Sequence, residues 1–580
     1  MRAKKTSQGV MLSVIAGNYV VLLGFDVTEA KRAGLLGFTI SRKDHTENEE
    51  AVMPTFKTFK PVAGSAAPKP GALVSSEDHP VQGFHWGDYT AKPDHSYTYT
   101  VTARYGKPGA MTKGQPVSVD VKTGSEDRGR HAIFFNRGVA ASQAYARRFN
   151  NVPPDKMDDP AKRKQALQWL SRGLEEAILA YIGQANSAQF ALRASVYEFS
   201  WAPVLEAFGA AAKNNADVKI IYDRRPKGPF EATEKAADAA QIRDLMIPRK
   251  TAVAISHNKF IVLLKDGKPE QVWTGSTNFT EGGIFGQSNV GHIIRDAAVA
   301  QAYFDYWTRL SGDPDFKTLK PANDAATPTP AGAPKNGTIT PVFSPRTDLT
   351  ALEYYTSRMG AAKESVAFTA AFGVSGIIAP VLLEKKDFLR YLMVETDGNK
   401  TTPKPVPGKP PALSQFDTFQ KIRKVPNNIV AMGAIMQAKP AKGTAGDEAV
   451  GGVLHRWLKE RLTGMNTHVK FLHTKYLLVD ALTKAPTLIS GSANFSSAST
   501  TNNDENMVIV QGDTELADVF LGEFLRLFEH FQFREAVNAQ LAAGAGKKPE
   551  ISAYLSANDK WTDRYFKEGS VSFMERKFFV

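Results

Sequence analysis

At 580 residues and 63.3 kDa, with 42% hydrophobic and 23% charged side chains, the chain is too long for one core and too apolar for disorder, so about two to four globular domains are expected. Its 72 Lys and Arg against 59 Asp and Glu leave a formal charge of +13, which favours polyanionic partners such as nucleic acid or anionic lipid headgroups. The count of zero cysteines excludes disulfides, thiolate-bound zinc, iron–sulfur clusters and a thiol nucleophile.

Met1 to Lys5 and the apolar stretch Val10 to Phe25 have the outline of a secretory leader, but Asn18 and Tyr19 interrupt it and no small-x-small cleavage site follows. The run is read as strands, no stretch of about 18 apolar residues predicts a membrane span, and a cytoplasmic location is expected. Residues 1–125 read as all-β: Tyr97 to Tyr105 and Val117 to Val121 alternate with period two, and Asn18 to Val27 and Leu35 to Arg42 supply earlier strands. The region resembles a fibronectin type III or immunoglobulin-like β-sandwich, read as a packing module or a platform for a protein partner, since fold alone implies no function.

From about Ile133 onward helix and strand signals alternate. Leu167, Leu170, Leu174, Ile178 and Tyr181 recur at helical spacing and Val218 to Tyr222 is a buried-strand run, which predicts an α/β domain with a largely parallel sheet. The expected divisions are a first half at 131–320, a Pro-rich linker at 321–339, a second half at 340–535 and a polar, partly aromatic tail at 536–580. Thr401 to Pro411 is a Pro/Lys-rich insert within a lid candidate at 397–415, and Leu516 to Phe531 is strongly amphipathic.

One internal repeat dominates. His257-Asn258-Lys259 followed by Gly275-Ser276-Thr277-Asn278-Phe279 is matched by His473-Thr474-Lys475 followed by Gly491-Ser492-Ala493-Asn494-Phe495, and His to Asn spans 21 residues in both copies. Further on, Ser288-Asn289-Val290 is aligned with Glu505-Asn506-Met507, at His-to-Asn offsets of 32 and 33. Upstream, Phe134 to Arg137 is loosely echoed by Phe343 to Arg346. Period two puts His and Lys on one face of a strand, while Gly-Ser-x-Asn lets backbone approach closely and offers Ser and Asn donors to an oxyanion. Two such units facing each other across a pseudo-twofold axis would supply two imidazoles and two Lys/Asn clamps around one phosphate. A lone strand His is commonly a satisfied polar residue, but here each has the same company at the same offsets.

These motifs resemble the HxKxxxxD and GSxN signatures of the phospholipase D superfamily, over about residues 131 to 535. The resemblance implies a β-sandwich followed by two pseudo-symmetric α/β halves sharing one active site, with the catalytic set His257, Lys259, Asn278, His473, Lys475, Asn494, Asp480 and Glu505. Lys259, Lys475, Ser276, Asn278, Ser492 and Asn494 would bind the substrate phosphate. One His would attack phosphorus and the other protonate the leaving oxygen; the family tendency favours His257 as nucleophile, whereas Asp480 and Glu505 mark the second half as better supported. The first-half counterpart of Asp480 is Leu264, with Asp266 two residues later, and Ser288 stands in the place aligned with Glu505, with Gln287 as the nearby polar substitute. No metal or other cofactor is expected, because a Lys beside each His opposes a cation and no carboxylate cluster accompanies them. Tyr197, Glu198, Trp201, Arg224, Arg225, Arg390 and Arg456 are candidates to line a substrate groove, and His85, His292 and His530 are left as structural or surface residues. The phosphodiester substrate is read first as nucleic acid, on the net charge, with phospholipid headgroup hydrolysis as the alternative and a catalytically silent scaffold as the third reading.

Overall fold

The computed structural model describes residues 1–60, 73–138, 143–150, 152–251, 254–402, 413–433, 472–543 and 554–580. At the N-terminus two four-stranded antiparallel sheets face each other. One is ordered Arg2–Ser7, Val10–Ala16, Val21–Val27, His85–Asp88, and the other Ala110–Lys122, Ser96–Lys107, Leu35–Asp44, Glu49–Val52. The alternation read from the sequence is the cause: Leu12, Val14, Leu23 and Phe25 point from one sheet, and Phe38, Ile40, Tyr99 and Val101 from the other, into one core.

Two seven-stranded sheets follow, with the same strand order. The first runs His131–Phe135, Val290–Ile294, Lys268–Gly275, Lys259–Lys265, Phe190–Val196, Asp217–Asp223, Met246–Arg249; the second runs Ile339–Ser344, Glu505–Gln511, Thr487–Gly491, Tyr476–Val479, Ser365–Ala370, Leu389–Val394, Asn428–Met432. The expected largely parallel sheet is corrected: in each, the three strands that end in Asp223, Arg249 and Val196, or their counterparts, pair in parallel and the rest are antiparallel. The physical reason lies in the connections. A hairpin needs only a short turn, and Asp266 and Gly267, at φ 49° and 75°, join the strand after His257 to the next one without any crossover helix.

The helix that follows each sheet is wedged between the halves. Tyr303 and Tyr306 of Ala297–Ser311 pack with Phe260 and Val262 of the first sheet and with Phe343 and Val508 of the second. Phe520 and Phe524 of Thr514–Ala543 pack with Tyr476 and Leu478 of the second sheet and with Ile133, Phe135 and Val290 of the first. The helical spacing from Leu167 to Tyr181 belongs to two helices, Pro160–Ser171 and Leu174–Gly183, broken at left-handed Arg172 and Gly173. Arg172 is drawn out of the helical path to give its Nε–H to the Phe135 carbonyl at 2.8 Å and to pair with Glu523. The expected linker begins inside a helix, Phe316–Ala326, in which Asn323 is buried and donates to the Pro345 carbonyl at 3.1 Å. Composition pointed to a spacer there because Pro328, Pro330 and Pro334 crowd Ala325 to Gly337, nearly all of which lies beyond the helix end at Ala326. The expected tail also has structure: Trp561, Tyr565 and Phe566 pack on the N-terminal core. The insert Thr401 to Pro411 falls largely outside the described residues. Among the described residues no helix is long and apolar enough to cross a membrane.

A buried ion pair ties the halves behind the first motif. Arg249 Nε–H donates to Asp504 Oδ2 at 2.9 Å with both side chains 0% exposed, and Asp313, 28% exposed, takes the other arm of the guanidinium at 2.8 Å. The Asp504 main chain brackets the approach to the histidine, its N–H donating to Ile255 and its carbonyl accepting from His257, each at 2.9 Å. Removing one member leaves an uncompensated buried charge, so Asp504→Ala should cost about 3–5 kcal/mol of unfolding free energy. Asp313→Ala should cost less, and the joint Arg249→Met, Asp504→Leu replacement less than Asp504→Ala alone; urea midpoints of the three variants check the ranking.

Candidate functional site

His257 and His473 reach the same cleft, of about 470 Å³, which Asn278 and Asn494 also line. Each His sits just ahead of its strand, and each is anchored by the opposite half: His257 N–H donates to the Asp504 carbonyl, and His473 N–H to the Ser288 carbonyl at 3.2 Å. The side chains cross over in the same way. His257 Nδ1 donates to Glu505 Oε2 at 3.0 Å, and His473 Nδ1 donates to Asn289 Oδ1 at 2.9 Å. Asn289 is oriented by its own Nδ2, which donates to the Gly283 carbonyl at 2.7 Å, so its oxygen faces the histidine. In both rings Nε2 is left as the nitrogen for chemistry in the cleft.

The alignment of Ser288 with Glu505 is corrected by one residue. Ser276 N–H donates to the Val290 carbonyl and Ser492 N–H to that of Asn506, so Val290 corresponds to Asn506 and Asn289 to Glu505. Asn289 lies 32 residues after His257 and Glu505 lies 32 after His473, an equality in the sequence that matching Asn to Asn concealed. Asn289 is therefore the functional residue that sequence reasoning missed, and Gln287 is not its substitute. Asn503 is a second, with Nδ2 donating to Glu505 Oε1 at 3.0 Å.

Both glycines of the Gly-Ser-x-Asn units are required by close approach. A Cβ on Gly275 would lie 2.2 Å from the Val290 carbonyl oxygen, and one on Gly491 2.2 Å from that of Asn506. The serines face the same neighbouring strand rather than the cleft. Ser276 Oγ donates to Asn289 Oδ1 at 2.7 Å and accepts from Val290 N–H, and Ser492 Oγ accepts from Asn506 N–H at 3.0 Å. Their place among phosphate ligands is corrected to that of strand ties, Ser276 acting on His473 through Asn289. Asp480 lies away from the cleft, its carboxylate accepting from the N–H groups of Lys363, Glu364 and Ser365 at 2.8 to 3.2 Å, which caps the entry to Ser365–Ala370. Asp266 occupies the hairpin turn of the first half.

The lysines lie beneath the histidines. Lys259 Nζ donates to the His257 carbonyl at 2.6 Å and sits 5.2 Å from the Tyr197 ring centroid, while Lys475 Nζ donates to the His473 carbonyl. Burial brings Lys259 down to about 7, and burial together with Lys259 holds Lys475 well below the usual ammonium range. Burial, then Lys259, pull His257 down to about 4 against the opposing effect of Glu505. His473 is likewise lowered, by burial and both lysines. The resting imidazoles are neutral beside an ionised Glu505.

Among the groove candidates, Tyr197 and Glu198 line the cleft. Trp201 donates to Glu175 and stacks edge-on against Phe285, Arg224 pairs with Glu234, Arg225 with Asp223, and Arg390 is buried against the Leu382 and Glu384 carbonyls. Arg456 lies outside the described residues. His292 is paired with His131 at 2.8 Å in the first sheet, and His85 stacks on Phe579.

Because the His257 imidazole is held at about 4 against an ordinary 6.5, the unfolded chain takes up a proton there that the folded chain refuses. Stability is full above the ordinary value and lost as pH falls toward the folded one. The melting temperature in phosphate-free buffer should drop across that window, and His257→Gln should flatten the drop; a melting temperature that rises on acidification would contradict the assignment.

The family model described as "Cardiolipin synthase, PLD-like domain" matches residues 181–310 and 411–528, which bracket the two motif pairs. No curated protein sequence matches the chain. Similar solved structures include polyphosphate kinase from Porphyromonas gingivalis, at 12% identity and TM-score 0.35 over 57% of this chain and 42% of that one. Phosphatidylserine synthase from Haemophilus influenzae Rd KW20 aligns at 12% identity and TM-score 0.40, over 64% of this chain and 91% of that one. Nuc, a phospholipase D family member from Salmonella typhimurium, aligns at 26% identity and TM-score 0.20, over 24% and 87%. With His-x-Lys and Gly-Ser-x-Asn present twice and the two-segment match falling on them, the chain belongs to the phospholipase D superfamily.

Proposed function

We propose that the chain is a phosphodiesterase whose two halves, residues 131–320 and 340–535, share one active site and act through a phosphohistidine. The observation that carries this reading is the crossed support of the two imidazoles: each opens Nε2 to one cleft while its Nδ1–H is taken by the other half. His257 Nε2 attacks phosphorus as the P–O bond to the leaving group breaks, and that oxygen takes the Nε2 proton of His473, which is an imidazolium in the substrate complex because the arriving phosphate anion offsets the burial and the lysines that hold it neutral at rest. Water then attacks phosphorus, giving its proton to His473, and the P–N bond breaks. His257 is the nucleophile in this reading because its partner is a carboxylate. Phosphorylation leaves the ring cationic, which Glu505 stabilises and an amide such as Asn289 does much less. This reverses the weight that Glu505 carried in the sequence, since it serves the histidine of the opposite half. Lys259, Lys475, Asn278 and Asn494 stabilise the phosphoryl oxygens, and this supply of positive charge makes the reaction independent of a metal.

Nucleic acid is the first substrate reading, on the formal charge of +13. Phospholipid is the second, favoured by Phe372, which is 54% exposed at the cleft, and by a lining that among the described residues includes Glu198 and Glu281 but no Arg or Lys. The N-terminal pair of sheets, residues 1–125, is read as the fibronectin- or immunoglobulin-like sandwich and as the surface for any protein partner. Incubation with single-stranded DNA, duplex DNA, RNA and phosphatidylcholine vesicles in excess chelator should show turnover of one class; turnover that returns only with added divalent ion refutes metal independence, and none on any substrate supports the silent scaffold.

His257→Ala and His473→Ala should each lower turnover by at least about a thousandfold, and the double variant should be scarcely worse than either single one, since the two act as a unit. Rapid-quench trapping should recover covalent phosphate from His473→Ala with an activated leaving group and none from His257→Ala. The reverse pattern would exchange the two roles.

A further inference from the structure

The repeat breaks at one pair of positions beside the histidines. Val196 pairs with Lys259, and the register of Ser365–Ala370 on Tyr476–Val479 brings Ala370 opposite Lys475. Two residues beyond these, the first half has Glu198 and the second Phe372, and both line the cleft. Glu198 is held from two sides: its carbonyl accepts from Phe279 N–H at 3.1 Å, and its Oε2 accepts from Asn278 Nδ2 at 2.6 Å. An ionised carboxylate can only accept, so this bond decides which end of the Asn278 amide is nitrogen and leaves that nitrogen one further hydrogen for the cleft. Asn278 is itself 5% exposed, and its Oδ1 has no partner. The negative charge of Glu198 acts on both buried lysines, Lys259 and Lys475. Phe372 can supply neither the acceptor nor the charge.

Resting on the phosphodiesterase reading of this cleft, we propose that Glu198 is a positioning and charge-selecting residue that aims the Asn278 amide at a phosphoryl oxygen and restricts the site to phosphate bearing a single negative charge. Lysines that take up protons to meet an incoming phosphate would by themselves hold a dianion more tightly than a monoanion. A fixed carboxylate beside them repels the dianion about twice as strongly, which moves the preference toward a diester. Hydrolysis of a diester yields a monoester, so the same repulsion clears the product from the site.

Glu198→Gln separates the two roles, because the Gln oxygen still accepts from Asn278 while the charge is gone. Titration calorimetry of the full chain with dimethyl phosphate, a monoanion, and methyl phosphate, a dianion at about pH 8, reads the charge. The affinity of Glu198→Gln over wild type should rise about threefold for dimethyl phosphate and about tenfold for methyl phosphate, as twice the charge squares the factor. Equal gains, or none, overturn charge selection. Turnover of bis(4-nitrophenyl) phosphate reads the positioning: Glu198→Ala, which lacks the acceptor, should have kcat at least about tenfold below that of Glu198→Gln, and equal kcat values overturn it. Absence of any diester turnover by the wild-type chain would defeat the phosphodiesterase reading instead. The calorimetric comparison needs no turnover and no Glu198→Ala protein, so it decides on Glu198 separately.

Discussion

Two lysines are buried at the same cleft, where burial holds both below the usual ammonium range and the charge of Lys259 lowers Lys475 further, and this is the constraint that the rest of the cleft answers. Lys259 and Lys475 are each 1% exposed. Taking such charges out of water costs several kcal/mol apiece unless they find partners. Each Nζ finds the carbonyl of its own histidine, and the carboxylates of Glu505 and Glu198 supply negative charge nearby. Burial first, and then the lysines, hold both imidazoles below their ordinary value in the resting site. In the proposed phosphodiesterase an arriving phosphoryl anion would favour the protonated lysines, so anion binding and charging of the site would be linked.

The pseudo-symmetry of the sheets hides a chemical asymmetry at their junction. Strand order, the His-to-Lys spacing and the close approach at Gly275 and Gly491 repeat. The residue that takes the histidine N–H does not: it is carboxylate for His257 and amide for His473. Two equal carboxylates would add a further negative charge beside Glu505 and Glu198 and give both imidazoles the same partner, whereas one carboxylate and one amide make the two histidines chemically distinct.

The motifs were legible because they are local: Lys follows His by two positions, and Asn follows it by 21, within one half. What was not legible lies between the halves. That Glu505 serves His257, 248 residues away, follows only from how the sheets dock. The one-residue error at Asn289 arose because identical letters, Asn with Asn, outweighed an equal interval. The serines were misread for a related reason. A Gly-Ser-x-Asn string offers hydroxyl donors, but whether a hydroxyl faces ligand or the adjacent strand depends on the strand beside it. Helix and strand alternation likewise suggested parallel pairing, which the Asp266-Gly267 turn forbids where it joins two neighbours.

The packing of Trp561, Tyr565 and Phe566 on the N-terminal core bears on the order of events during synthesis. The two sheets within residues 1–125 are synthesised well before residues 561–566, yet the aromatic side that these rings cover stays wet until those residues emerge. Arg576, whose guanidinium lies 3.5 Å from the Phe566 centroid and pairs with Asp26 at 2.8 Å, closes that seam from the C-terminal side. The core of residues 1–125 is thus completed only by residues made about 550 positions later, so it closes across both seven-stranded sheets, which are translated between the two.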